Sequence, residues 1–136
     1  MPNVFVDTNI LVYAADESKP VERKTRIARE LLRQRNLHLS VQVLNEFTVN
    51  ARSKSKLNLS PQREHEWMSR WLLFPVISLT VETFLAAKLL HARFQVSHWD
   101  ALILAAARET SSLAVYSEDL SHGQTYDGVK IINPFL

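Results

Sequence analysis

Five short apolar runs recur along the chain with longer amphipathic stretches between them: Val4 to Val6, Leu37 to Leu39, Val76 to Leu79, Leu113 to Tyr116 and Val129 to Ile132. Each is rich in Val, Ile and Leu, as expected of strands covered on both faces. Between the first two runs, Ile27, Ala28, Leu31 and Leu32 fall at helical spacing with arginines on the other side, and Pro20 suits the start of that helix. A second helix follows in "SVQVLNEF". Ser60-Pro61 is a cap and first-turn pair that opens another, on which Trp67 and Trp71 lie one turn apart. Thr80 suits the cap of the next, which carries Val81, Phe84, Leu85 and Leu89. Ser97 opens the last, and its continuation "ALILAAA" is apolar all round, so that helix is expected to be buried. Strands alternating with helices predict an α/β fold: a mainly parallel, five-stranded sheet with right-handed crossovers and helices on both faces. Only the loop "SEDLSHGQTYDG" separates the last two strands, which leaves room for an irregular or antiparallel edge.

Composition narrows the chemistry. A chain of 136 residues is expected to form one domain. Its 46% hydrophobic and 22% charged content is that of an ordinary globular protein. The run Ala101 to Ala107 is far short of the roughly 20 residues that cross a bilayer, and the first residues lack a basic stretch followed by an apolar one, so a cytoplasmic location is expected. Cysteine is absent, which excludes disulfides, thiolate metal sites and cysteine nucleophiles. The two glycines, Gly123 and Gly128, are too few and too late for a P-loop or a dinucleotide fingerprint. The net charge of +2 is small, yet the basic residues are uneven. Arg23, Lys24, Arg26, Arg29, Arg33 and Arg35 crowd one segment, and Arg52, Lys54 and Lys56 another. A basic run alone is more often a solvated helix face than a nucleic-acid contact.

The acids fall at telling places. In a parallel sheet, ligands bind beyond the carboxyl ends of the strands, where strand order reverses. Asp7 ends the first strand directly after "VFV", and Ser117, Glu118 and Asp119 leave the end of the fourth. If those strands are neighbours, Asp7 and Asp119 meet. Glu46 borders the apolar side of the helix after the second strand, and Asp100 lies in the first turn of the buried helix. Each has an ordinary alternative: Asp100 as half of a capping box with Ser97, Glu46 as a solvated helix residue, Asp119 as a turn former. Together they point elsewhere. Two carboxylates about 4 Å apart repel by roughly 4 kcal/mol at an effective dielectric near 20, so several in one corner take up protons or a cation. Oxygen-only ligands favour Mg²⁺ or Mn²⁺, and the five histidines, without an i, i+4 pair, do not make a zinc site. Such a cage suits phosphodiester hydrolysis, and the basic stretches, Arg52, Lys54 and Lys56 among them, then become candidate contacts to a nucleic-acid backbone.

The segments "VDTNILVY", "QVLNEF", "HWDALILAAA" and "YSEDLSHGQ" resemble the four acidic motifs of PIN-domain ribonucleases, in the family's order and over nearly the whole chain. The length and the C-terminal "GVKIINPF" are most similar to VapC, the toxin group of bacterial toxin-antitoxin pairs. The resemblance implies a three-layer α/β/α sandwich in which the first and fourth strands are neighbours. It implies Asp7, Glu46, Asp100 and Asp119 as the catalytic, metal-binding acids, with Asn9 and Ser117 supporting the site. It also implies an endoribonuclease that uses Mg²⁺ or Mn²⁺ on RNA, works as a homodimer, and pairs with a small VapB-like antitoxin. Trp67, Met68 and Trp71 could serve an antitoxin surface or simply pack in the core. Trp99 could stack on a base or bury beside its helix.

Other classes compete. An aspartate-nucleophile phosphatase needs a second acid two positions after the first, where this chain has Asn9. A phosphoacceptor receiver needs its Asp after the third strand, where this chain reads "ISLT". The remaining alternatives are a nuclease of RNA processing rather than growth control, and a non-catalytic RNA- or protein-binding module of the same fold.

Overall fold

The first apolar run becomes β1 (Asn3–Val6), and a single residue, Asp7, separates it from α1 (Thr8–Ala14) in the computed structural model, which describes all 136 residues. Asp7 keeps the extended backbone of the strand (φ −77°, ψ 159°), and its carboxylate accepts the Thr8 N–H at 2.7 Å. It therefore caps α1, a structural duty that the apolar pattern of "NILVYA" did not announce. Next come α2 (Arg23–Leu31), β2 (Leu37–Ser40), α3 (Val41–Arg52), α4 (Pro61–Trp71), β3 (Val76–Ile77) and α5 (Val81–Phe94). The chain ends with α6 (His98–Glu109), β4 (Ser112–Tyr116), β5 (Thr125–Tyr126) and β6 (Val129–Ile132). Ser60, Thr80 and Ser97 cap their helices as expected, each accepting a backbone N–H from the residue three positions on. The helix expected from Pro20 begins at Arg23 instead, behind an uncapped Glu22.

Strand order is β3-β2-β1-β4-β6-β5, and every pairing is parallel except that of β5 with β6. The sheet thus has six strands, not the five expected. The extra one forms inside the last loop, where Asp127 and Gly128 both take positive φ (49° and 87°) and set Tyr126 opposite Val129, the geometry of a two-residue hairpin. The antiparallel edge is real, and it is short.

From β1 the chain steps outward to β2 and β3, then returns past β1 to β4. Right-handed crossovers therefore put α5 and α6 on the face opposite α1 to α4. The packing agrees: α1 rests on α2 and α3, α3 on α4, and α5 on α6. This is the α/β/α sandwich. Phe5, Val6, Leu37, Leu39, Val115 and Ile131 are fully buried in the sheet, and α6 is buried from Ala101 to Ala107. Trp67 and Trp71 stack at 5.5 Å, and Phe47 meets the edge of Trp71, so both indoles belong to the core. In α5 the small residues Thr83 and Ala87 turn inward with Leu90, while Val81, Phe84, Leu85 and Leu89 remain exposed. No helix is long and apolar enough to cross a membrane.

Ala106 is fully buried on α6, where a larger side chain has no room. Ala106→Leu is expected to destabilise the fold by roughly 1–3 kcal/mol in a urea titration; an unmoved midpoint would mean that the helix is loosely seated.

Candidate active site

The reversal of strand order falls between β1 and β4, and their register decides what meets there. Val6 pairs with Tyr116, the Asp7 N–H donates to the Tyr116 carbonyl at 3.0 Å, and the next residues on each strand, Asp7 and Ser117, leave the sheet side by side. The Ser117 hydroxyl, fully buried, donates to Asp7 Oδ2 at 2.7 Å and accepts the Asp119 N–H at 3.1 Å. Asn9, in the first turn of α1, aims its amide at the same group. Its Nδ2 donates to Asp119 Oδ2 at 3.1 Å, with longer approaches of 3.4 Å to Asp7 Oδ2 and to Ser117 Oγ. Its Oδ1 accepts the Glu118 N–H at 3.4 Å.

Glu46 comes from α3, where Thr8 Oγ1 donates to its Oε1 at 2.8 Å. Asp100 sits in the first turn of α6. Its N–H donates to Ser97 Oγ at 3.1 Å, which is one half of a capping box; the carboxylate does not return the bond to the Ser97 backbone. Asp7, Glu46, Asp100 and Asp119 all line one cleft of about 960 Å³ at the carboxyl ends of the strands. The charges feel one another there. Burial, with Asp119 and Glu46 adding to it, raises the Asp7 carboxyl from 3.8 to about 7 against the hydrogen bonds from Ser117 and Thr8. Burial, helped by Asp119, also holds Asp100 above its ordinary value.

The donor set is all oxygen, and its surplus negative charge suits a hard divalent cation. The side chains do not chelate as they stand, since no three acidic or histidine groups are gathered closely enough to hold a metal ion. Thr8, Asn9 and Ser117 donate to Glu46, Asp119 and Asp7 instead. The residues fit such an ion by the chemistry of their donors and by lining one cleft.

The basic residues divide. Arg52 is committed to Glu64 of α4 through two bonds of 2.8 and 3.0 Å, so it ties α3 to α4. Lys54 is exposed outside the cleft, and Lys56 lines it. From the first basic segment, Arg29 donates to the Ala14 carbonyl at 2.8 Å. Lys24 reaches Glu118 at 2.8 Å, and Tyr13 donates to Glu118 at 2.5 Å. Burial works against the charge on Glu118, yet the bonds from Lys24 and Tyr13 hold its carboxyl below the usual range. This triad locks the loop after β4 to α1 and α2. Sequence reasoning missed it because its members lie far apart in the chain, and only the position of Glu118 beside Asp119 hinted at it. Trp99, expected to be core or platform, is 62% exposed and lines the cleft.

The sequence profile of the PIN domain family matches residues 4–127. No curated protein matches the chain in sequence. Among solved structures, a toxin-antitoxin complex from Klebsiella pneumoniae is similar with a TM-score of 0.72 and 20% identity, over 97% of this chain and 98% of that one. A DNA-bound VapBC from Salmonella typhimurium gives 0.68 and 18%, over 96% and 97%. A Mycobacterium tuberculosis VapC toxin, described as cleaving the sarcin-ricin loop, gives 0.66 and 19%, over 85% and 88%. At these identities the likeness is one of fold.

Asp7 binds its proton more tightly in the folded chain than in the unfolded one. The stability it contributes is therefore complete below pH 3.8 and is lost as the pH rises through about 7. In the presence of chelator, Asp7→Asn is expected to be more stable than the native protein at pH 8, by on the order of 3 kcal/mol, with the difference gone near pH 4. Thermal unfolding across that range checks it, and a variant that is less stable at pH 8 would make the carboxylate a purely structural cap.

Proposed function

This chain belongs to the PIN domain family, and from that premise we propose that it is a Mg²⁺- or Mn²⁺-dependent endoribonuclease, the toxin of a VapBC-type pair. What supports the reading is one observation: four carboxylates from segments far apart in sequence line a single cleft at the strand-order reversal, and the buried one is pushed to about 7. A divalent cation, when bound, supplies charge neutralisation at the scissile phosphate and acidifies water. Asp7, Glu46, Asp100 and Asp119 would hold it. Hydrolysis then adds a water oxygen to phosphorus and breaks one P–O ester bond of the RNA.

The chain's other residues have supporting tasks in this scheme. Ser117 and Thr8 fix the Asp7 carboxylate from two sides. Asn9 donates to Asp119 and approaches Asp7, which links the acid after β1 to the acid in the loop after β4. The triad of Tyr13, Lys24 and Glu118 steadies the loop that carries Asp119. Lys56 and Lys19, which both line the cleft, are the cations available to backbone phosphates, a contact blind to sequence.

The partners follow the family pattern: a VapB-like antitoxin that blocks the cleft, and a second copy of the chain in a cytoplasmic homodimer. The exposed apolar residues of α5 are in keeping with association with another chain. A second reading, a non-catalytic RNA- or protein-binding module, is favoured by the lack of a gathered three-ligand set. One experiment separates the two. Purified protein with total cellular RNA is expected to produce new ends that disappear with chelator and return with Mn²⁺, and that Asp7→Asn never produces. Cleavage indifferent to chelator would overturn the metal dependence, and no cleavage at all would overturn the enzyme.

Two further outcomes are expected. Mg²⁺ or Mn²⁺ at 100 times its dissociation constant stabilises the folded protein by about 2.7 kcal/mol if only that form binds, as read by thermal unfolding. Lys56→Glu weakens RNA binding and flattens its salt dependence, whereas Arg52→Glu acts first on stability because it breaks the bridge to Glu64.

A further inference from the structure

The lining of the cleft is mixed: beside the acids it includes the apolar side chains of Trp99, Leu79 and Val49, all exposed. Contacts to phosphate alone have no use for an indole. Trp99 is also held in place. Its backbone carbonyl accepts Gln42 Nε2 at 3.1 Å, which ties the first turn of α6 to that of α3. The His98 ring meets its ring at 5.4 Å and 66°, and Phe84 braces His98 in turn at 5.8 Å. The indole is thus oriented, next in sequence to Asp100, with most of its surface free. The other exposed apolar residues of α5, Val81, Leu85 and Leu89, do not line the cleft, whereas Trp99 does.

Resting on the ribonuclease reading, we propose that Trp99 is a stacking platform for one unpaired base of the substrate, beside the phosphate held over the acids. A base inside a duplex has both faces covered by its neighbours and cannot reach an indole, so the platform selects single-stranded or looped RNA over paired RNA. Lys56 lines the same cleft and is available to the adjoining backbone phosphates. Recognition at this platform depends on the π-face of the base more than on its identity.

The protein carries its own probe. Of its three tryptophans, Trp67 and Trp71 are 5% and 3% exposed, so Trp99 is the one whose emission a bound base can quench. In the Asp7→Asn background, which binds without cutting, a short single-stranded RNA oligonucleotide is expected to quench tryptophan emission, and the same strand annealed to its complement is not. Trp99→Ala should weaken binding of the single strand roughly 5- to 100-fold, with Trp99→Phe restoring most of it. If the RNA binds with emission unchanged and Trp99→Ala binds as tightly, the platform is overturned while the nuclease stands. Equal quenching by duplex overturns the selection of unpaired bases. A change of oligomeric state in Trp99→Ala, with RNA affinity untouched, assigns the indole to a protein contact and overturns the proposal. If no form of the protein binds or cuts RNA, this inference and the ribonuclease reading fall together.

Discussion

The parallel pairing of β1 with β4 is the constraint on which the site depends. Neither strand carries a complete group of its own: Asp7 leaves one, and Ser117 and Asp119 leave the other. Their register, Val6 opposite Tyr116, brings the Ser117 hydroxyl within 2.7 Å of Asp7. Side chains alternate along a strand, so a slip of one residue would turn one partner to the other face and break that bond. The register is fixed by burial. Phe5, Val6 and Val115 are fully buried on the two covered faces of the sheet, so a slip would force close-packed side chains to repack on both faces. Hydrophobic order thus dictates where charge must gather.

That gathering opposes folding. Asp7 is wrapped in core and faces two other acids, and its carboxyl rises to about 7 as a result. Three neutral donors, Thr8 N–H, the Ser117 hydroxyl and the Asn9 amide, soften the penalty without removing it. A sequence selected for stability alone would place Asn at this position, which caps a helix equally well and carries no charge. The retention of Asp is the physical reason to treat the corner as functional rather than as a well-capped turn.

The parts of this arrangement that are local in sequence were readable from it. Short Val-, Ile- and Leu-rich runs gave five of the six strands, and Ser60, Thr80 and Ser97 marked three helix starts. The alternation of strand and helix implied a parallel sheet with its ligand cleft at the carboxyl ends. What escaped has definite causes. "TNILVYA" has the apolar, β-branched look of a strand, and its helical form is set by the Asp7 cap and by packing on α2 and α3. β5 is two residues long, below any periodicity, although Asp127-Gly128 is a strong hairpin signal that went unused. The Arg52 bridge to Glu64 and the triad around Glu118 join residues that no window along the chain contains. Val81, Phe84, Leu85 and Leu89, the apolar residues that mark α5 in the sequence, stay exposed, because the alanine-rich surface of α6 accepts the small residues of α5 instead. Trp99 shows the same limit from the other side, since hydrophobicity alone favoured burial.

In the nuclease proposed above, discrimination among substrates would not come from the acids. Carboxylates and a cation would act on phosphate, which is identical at every nucleotide, and a lysine at the rim reads only charge. Under that proposal, choice among stretches of RNA falls to the other residues lining the cleft, an indole, a leucine and a valine together with asparagine side chains from α3. The acids and the indole are held in partly different ways. Asp7 is fixed to Ser117 by a buried hydrogen bond across 110 positions of sequence, while Trp99 is held in the first turn of α6 by one Gln42 bond and the edge of His98. Asp100 stands in that same turn, so in the proposed nuclease one helix start carries both a metal-binding acid and the platform beside it.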